Sequence, residues 1–338
     1  MQNMRMELGE RSYGITVGKG ILGKVGELFN LDRKIFILTD SGVPARYSES
    51  IETASKDAVI YTVPMGEGSK SFAVLEGVLA KMMNFDMGRG DALVAVGGGV
   101  VGDLGGFAAA VYMRGIDFYS IPTTVLSCVD SSIGGKTAVN FGGVKNVIGA
   151  FHQPRGVLID TELLKTLPKR QFSNGLAEVV KMAATFDEAL FVRLEQEGLT
   201  DENTEEIIVS SLKIKKHVVE CDEKEGGLRK VLNFGHTLGH GIEGSTGENE
   251  LYHGECVALG MPPVCAPGVR ERVVRLCEKL GLPMSTDFNL EAALALVAHD
   301  KKCQSGEISV IKVEKIGSYK IEKMSLGAFG DAVRESMR

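Results

Sequence analysis

Five short apolar runs recur before Pro168: KIFILTD (34–40), AVIYTV (58–63), ALVAV (92–96), FYSIP (118–122) and GVLID (156–160). Each is rich in β-branched or aromatic residues and stops at a turn residue, which predicts buried strands. Among them FAVLEGVLAKMMNF (72–85) sets Leu75, Leu79, Met82 and Met83 at helical spacing. Strands alternating with helices predict an α/β fold on a largely parallel sheet. After Pro168 the period lengthens. GLAEVVKMAATFDEALFVRLE, TEEIIVSSLKIKKHVVECDE, HTLGHGIEG and VRERVVRLCEKL are helix-periodic, and few strand candidates remain, so the second half reads as mainly helical. No repeat or low-complexity linker intervenes. The expected division is a short hinge near 161–168, with domains at 1–165 and 166–338.

Composition adds three points. A chain of 338 residues is about twice one ordinary domain, in keeping with two units. A net charge of −6 argues against non-specific nucleic-acid binding, although a basic cleft can exist locally. The six cysteines (Cys128, Cys221, Cys256, Cys265, Cys277, Cys303) show no CxxC spacing, so reduced thiols and a cytoplasmic setting are expected. The opening MQNMRMELGERSYGITV has no apolar signal core, and no run approaches the ~18 apolar residues of a membrane span. Glycine departs from the ordinary: 42 residues, about 12% against a usual ~7%, without a triplet period.

One glycine cluster has a chemical reading. ALVAV runs into GGGVVGDLGGFAAAVYM, so Gly97, Gly99 and Gly102 match GxGxxG between a predicted strand and a predicted helix. Residues without side chains there let a pyrophosphate approach backbone N–H groups at the positive end of a helix. A tight turn with close helix–sheet packing would use the same residues. SSIGGKTAVN (131–140) is not a Walker A loop, because Asp130 stands where GxxxxGK[ST] requires glycine.

The second half carries the metal-ligand chemistry. His236 and His240 are four apart and share one helical face, and His253 follows on the next element. Glu178 in GLAEVVK lies one turn before Lys181. Three ligands drawn from Glu and His leave positions open for water or substrate on a catalytic zinc ion. Spacing alone does not decide which two histidines of the three bind. Arg114, Lys136, Lys145, Lys181, Lys215, Arg229, Lys301 and Lys302 are cations beside these motifs, and Arg229 and Asn233 directly precede His236. Such a set suits a substrate carrying phosphate or carboxylate.

The strings MGEGSKS, AVGGGVVGDLGGFAAAVYMRG, IPTTVLSCVDSSIGGKTAVN, KNVIGAFHQP, GLAEVVK, EGGLRKVLNFGHTLGH, HGECVALGM and HDKK together resemble the 3-dehydroquinate synthases, sugar phosphate cyclases of the shikimate pathway of aromatic amino acid biosynthesis. The resemblance runs over about residues 35–315. It implies an NAD-binding α/β domain, a helical metal-binding domain, an active site in the cleft between them, and a homodimer in which Arg114 reaches the partner's substrate. It implies that Glu178, His236 and His253 bind Zn2+ or Co2+, which leaves His240 to the substrate phosphate. Asp40, Glu67, Lys70, Gly97, Gly98, Gly99, Val100, Gly102, Asp103, Thr123, Thr124, Lys136 and Lys145 are the implied NAD contacts. Lys136, Asn146, Lys181 and His240 are the implied phosphate contacts, and Lys215 and Arg229 those of a carboxylate. Lys145, Asn233 and one of Lys301 and Lys302 complete the cage, with Asp130 near the reacting carbon. Of these, Lys136, Asp130, Lys181, His240 and Asn233 carry the implied catalysis. The implied reaction is redox-neutral: transient oxidation of a secondary alcohol, elimination of phosphate with its own oxygens as base, reduction, ring opening and aldol closure.

The chain departs from the family pattern in two places. Met65 replaces an aspartate, and Pro262, Pro263, Pro267 and Gly268 interrupt the helix expected after HGECVALGM. Two other readings share the apparatus, a sister cyclase with a different carbocycle and an NAD- and metal-dependent polyol dehydrogenase. A substrate without a carboxylate would leave Lys215 and Arg229 as desolvated cations lacking their partner.

Overall fold

The computed structural model describes residues 1–247, 250–299 and 307–336. It divides into two compact units, Met1–Leu167 and Pro168–Arg338. The junction falls two residues past the expected one, at the end of a 3-10 turn, where Pro168 begins the approach to a new helix.

The first unit is built on strands β1 (Gln2–Met6), β2 (Tyr13–Gly18), β3 (Lys34–Asp40), β4 (Asp57–Val63), β5 (Ala92–Gly97) and β6 (Asp117–Pro122). A hairpin of β7 (Lys136–Phe141) and β8 (Val144–Phe151) and strand β9 (Gly156–Asp160) follow. Helices α1 (Val25–Leu28), α2 (Ala45–Ala54), α3 (Phe72–Asn84) and α4 (Gly99–Val111) connect them. Seven strands form one sheet in the order β1-β2-β9-β6-β5-β3-β4, parallel except for β1. The five apolar runs are five of these strands. Both faces are covered, which is why the runs are continuous. Phe36, Leu38, Leu93 and Ala95 pack under α3 and α4, and Ile35, Ile37, Val94 and Val96 pack under α1 and α2. The β1–β2 and β7–β8 hairpins lay outside the sequence expectation.

The chain leaves β3 for the edge strand β4 and returns to β5 on the other side of β3. This reversal makes a topological switch point, and ligands of open α/β sheets bind beyond the carboxyl ends of the strands there.

The second unit comprises α5 (Lys169–Phe186), α6 (Glu188–Glu197), α7 (Thr204–Cys221), α8 (His236–Ser245), α9 (His253–Gly260), α10 (Pro267–Lys279), α11 (Leu290–His299) and α12 (Leu326–Ser336). A small antiparallel hairpin, β10 (Glu307–Lys312) with β11 (Lys320–Ser325), accompanies them. Helix α5 is buried from Asn174 to Thr185 and forms the centre. The proline-rich segment breaks the helical run as expected: α9 stops at Gly260, Pro262–Val264 makes a 3-10 turn, and Pro267 opens α10. Among the described residues no helix is long and apolar enough to cross a membrane.

Candidate active site

The carboxyl ends of β3, β5 and β6 gather the residues expected to hold a dinucleotide. Asp40 ends β3, Gly97 ends β5, and Thr123 follows β6, donating its N–H to Gly97 O at 3.0 Å. Burial raises the Asp40 carboxyl above its ordinary range, against the backbone N–H groups of Gly42 and Val43. A Cβ on Gly97 would lie 2.6 Å from the Val101 side chain, so only glycine lets strand and helix meet so closely. Gly98 is the N-cap of α4 and offers no side chain, and the first backbone bond inside the helix is Gly102 N to Gly98 O. The N–H groups of Gly99 and Val100 therefore lie in the turn whose donors have no helical acceptor. Asp103, one turn on, accepts from the buried Lys70 ammonium at 2.6 Å. Lys70 Nζ also reaches Asn146 Oδ1 and stands 3.7 Å from Glu67 Oε1. Thr124 Oγ1 accepts from Ser127 N at 3.1 Å and opens a π-helical turn, Ser127–Ser131, that carries Asp130. Lys136 opens β7 and is exposed, as are Lys145 and Asn146 past the hairpin turn. Arg114 is exposed on the 3-10 turn after α4, at φ +70°.

In the second unit three helices bring three ligands together. Glu178 and Lys181 project from the middle of α5, only 1% and 2% exposed. His236 and His253 are the first residues of α8 and α9. One ligand atom from each of Glu178, His236 and His253 lies within 4.8 Å of the others. Nε2 of His236 is 3.6 Å and Nε2 of His253 is 3.8 Å from Glu178 Oε1.

Glycine makes this approach possible. A Cβ on Gly260 would sit 1.9 Å from Gly235 O, and one on Gly239 3.0 Å from Cys256 O, so α8 and α9 touch backbone to backbone. Gly235 itself takes the left-handed conformation, φ +79°, as N-cap of α8. The Gly254 N–H donates to Asn174 Oδ1 at 2.7 Å and ties α9 to α5 one turn before Glu178. Arg170 and Glu255 form a bidentate pair at 2.7 and 2.8 Å across the same two helices.

Hydrogen bonds fix the imidazole orientations. His236 Nδ1 lies 3.1 Å from Phe234 O, and His253 Nδ1 lies 3.1 Å from Glu243 Oε2. Each Nδ1 therefore carries the proton and each Nε2 presents a lone pair toward Glu178. Burial, then Lys181 and the neighbouring imidazoles, hold the His236 pKa well below the ordinary histidine value. At His253 burial pulls the same way, but the hydrogen bond and charge of Glu243, with Glu178, outweigh it and raise the pKa. The Glu178 carboxylate is buried with no hydrogen-bond donor on Oε1, while Oε2 faces the Lys181 ammonium. A buried carboxylate oxygen facing two imidazole lone pairs fits a divalent cation of the zinc class. His240 stands with its ring 5.3 Å from His236 and 6.0 Å from His253. A second group of His240, Glu243 and His253 also has metal-ligand spacing, but Glu243 there already occupies His253 Nδ1.

The cations expected around the substrate divide by unit. Lys215 on α7 and Arg229 before α8 are 4% and 2% exposed. The anchor of the loop that holds Arg229 has no counterpart among the sequence motifs. Asp222, at the end of α7, accepts from the N–H groups of Gly226, Gly227 and Arg229 at 2.7–2.9 Å, which holds its carboxyl below the ordinary range. The Arg229 guanidinium donates to Glu223 O, and Asn233 Nδ2 donates to Glu225 Oε1 at 3.0 Å. Glu243, Asn174 and Asp222 thus support the expected ligands without having been expected themselves. Glu243 had a readable signal, lying seven residues after His236 on one helical face. Lys301 and Lys302 lie outside the described residues.

Two family models match consecutive parts of the chain and meet within α5, seven residues past the junction of the two units. A family model described as 3-dehydroquinate synthase N-terminal matches residues 60–174, and one described as 3-dehydroquinate synthase C-terminal matches residues 175–303. The 3-dehydroquinate synthase of Geobacter sp. (strain M21) is 42% identical over 97% of this chain and 97% of its own length. Among solved structures, 2-epi-5-epi-valiolone synthase from Streptomyces hygroscopicus subsp. jinggangensis 5008, with NAD+ and Zn2+ bound, is similar at a TM-score of 0.88 and 25% identity, covering 98% of both chains. A 2-deoxy-scyllo-inosose synthase complexed with carbaglucose-6-phosphate, NAD+ and Co2+ gives a TM-score of 0.89 over 99% of both chains, and at 24% identity that likeness speaks of fold alone.

Proposed function

The chain belongs to the 3-dehydroquinate synthase family, and from that premise we propose that it converts 3-deoxy-D-arabino-heptulosonate 7-phosphate to 3-dehydroquinate and inorganic phosphate. It acts in this reading as a carbon–oxygen lyase that uses NAD+ transiently. The observation that carries the reading is the buried Glu178 carboxylate, faced by two histidines whose Nδ1 atoms are already engaged. Glu178, His236 and His253 would hold the metal, and the residues beyond β3, β5 and β6 the dinucleotide. When bound, NAD+ supplies a reversible hydride acceptor and Zn2+ or Co2+ a Lewis acid.

This chain's own residues supply orientation and charge. Lys215 and Arg229 hold the substrate carboxylate, and their burial makes them strong, specific partners for it. Lys136, Asn146, Lys181 and His240 surround the phosphate and stabilise the charge it carries away. Lys145, Asn233 and the Lys301–Lys302 pair complete the cage, and Asp130 lies nearest the reacting carbon. Fixed orientation of this kind can lower the barrier by ~7–11 kcal/mol. We further propose a homodimer in which Arg114 serves the partner's site. Supporting it, Val111 and Met113 beside Arg114, and Phe141, Val144, Val147 and Phe151 on the β7–β8 hairpin, are exposed apolar side chains. The five described cysteines are free thiols, in keeping with a cytoplasmic enzyme.

The test uses two substrates. With metal and catalytic NAD+, the heptulosonate phosphate should release inorganic phosphate, and a hexose 6-phosphate lacking the carboxylate should not. Chelation should stop release and added Zn2+ or Co2+ restore it, while Lys136→Ala and His236→Ala should each abolish it. Turnover of the hexose phosphate instead would assign the chain to a sister cyclase activity.

A further inference from the structure

The β7–β8 hairpin carries one irregularity. Its register runs from Lys136 opposite Phe151 to Val139 opposite Ile148 and then slips before Phe141 pairs with Val144, which leaves Asn140 outside the ladder. One β7 residue there faces three of β8, 145–147, so the bulge is on β8 and Asn140 stands unpaired opposite it. The Asn140 backbone N–H turns from the sheet to Lys70 O at 2.7 Å. Its carboxamide spans two segments: Nδ2 donates to Glu67 Oε1 at 2.9 Å, and Oδ1 accepts the backbone N–H of Asn146 at 2.8 Å. Glu67 as a carboxylate only accepts and the Asn146 N–H only donates, so the bridge requires one group with a donor end and an acceptor end. Asn146 needs the support, since it sits at φ +54°, a sparsely populated conformation outside glycine. Its own Oδ1 receives the ammonium of Lys70, which in turn is paired with Asp103.

We propose that Asn140 is a positioning residue that locks Glu67 and Lys70, on the cofactor side, to Asn146, on the substrate side, so that one carboxamide sets the affinity for both ligands. This rests on the function proposed above, which gives Glu67 and Lys70 to NAD+ and Asn146 to the substrate phosphate. Neither ligand touches Asn140 in this scheme. It acts by holding the other groups in place.

The experiment compares wild type, Asn140→Ala, Asn146→Ala and the double variant for NAD+ dissociation constant, KM, kcat, metal content and melting temperature. Asn140→Ala is expected to weaken NAD+ binding and raise KM about tenfold each, with metal content unchanged and kcat within threefold. The double variant should raise KM no further than Asn146→Ala alone, because Asn140 acts on the substrate by placing the Asn146 side chain, which that variant already lacks. Asn140→Asp keeps the size but sets a second carboxylate against Glu67, so it should lose NAD+ affinity at least as far, and it decides the matter if the alanine variant does not fold. A lower melting temperature with unchanged dissociation constant and KM, or additive effects in the double variant, would overturn the proposal. A wild-type protein that binds no NAD+ or releases no phosphate would instead sink the function it rests on.

Discussion

Gly254→Ala tests how the metal group is assembled without touching a ligand. A Cβ at position 254 would lie 1.9 Å from the backbone oxygen of Asn174, where ordinary contact begins near 3.4 Å. Neither atom belongs to a flexible side chain, so α9 must move from α5 by about 1.5 Å or tilt by an equivalent amount, and such overpacking costs about 1–3 kcal/mol. The same movement carries His253, the preceding residue, away from Glu178, one turn along α5 from Asn174. Metal sites tolerate only about ±0.2 Å in ligand distance. Loss of supporting contacts alone costs ~10–100-fold in affinity, so displacing a ligand by more than an ångström should reach at least the upper end of that range. The assay is competition for Zn2+ or Co2+ against a chromophoric chelator, alongside chemical denaturation of the metal-free protein. Gly268→Ala is the control, since a Cβ there meets nothing within 4 Å. If Gly254→Ala binds metal within threefold of wild type, the argument that backbone contact between α5 and α9 sets the ligand geometry is refuted.

Glu243→Ala should weaken metal binding ~10–100-fold by freeing His253 Nδ1, with little change in melting temperature of the metal-free protein; equal affinity would dismiss Glu243 as an orienting group. Asp117 bridges Arg33 and Arg155 at 2.7 Å each, and although burial opposes it, these two guanidinium groups bring its pKa below the ordinary value. A carboxyl depressed in the folded state contributes stability above its unfolded pKa and loses it as pH falls through the folded one, so Asp117→Asn should cost about 1–2 kcal/mol at pH 7 and progressively less as the pH falls below the ordinary aspartate range. A constant difference across that range in urea denaturation would contradict the assignment. Among the described cysteines, alkylation of the native protein followed by peptide mapping should label Cys221 and spare Cys128, Cys256, Cys265 and Cys277, which are buried, with the Cys265 thiol pushed up to about 12 by burial. Prompt labelling of Cys265 would contradict the packing of α9 and α10.

What could be read in advance followed burial. Strands β3, β4, β5, β6 and β9 were legible because most are covered on both faces and read as continuous apolar runs. β1 (QNMRM) and β11 (KIEKMS) are largely exposed, so their polar residues conceal the strand. The β7–β8 hairpin had a signal in Gly142–Gly143, both at positive φ, a pair suited to a two-residue turn; likeness to a phosphate loop drew attention to the neighbouring glycines instead. In the site, Glu178 and Lys181 are the two charges in the otherwise apolar stretch Leu176–Ala184 of α5. Spacing left the choice among His236, His240 and His253 open, because that choice depends on which rings the packed helices bring to Glu178. Asp222 and Asn140 could not be singled out, since one binds a loop fold and the other stands opposite a bulge, and neither has a sequence period.

The central claim, a cyclase that uses its nicotinamide cofactor without consuming it, is tested most directly by the ratio of inorganic phosphate released to NAD+ supplied, with absorbance at the NADH band followed in the same cuvette. Many phosphates per NAD+ and no net accumulation of NADH are expected. One NADH formed per substrate consumed, with phosphate retained, would contradict that claim and make the chain a dehydrogenase.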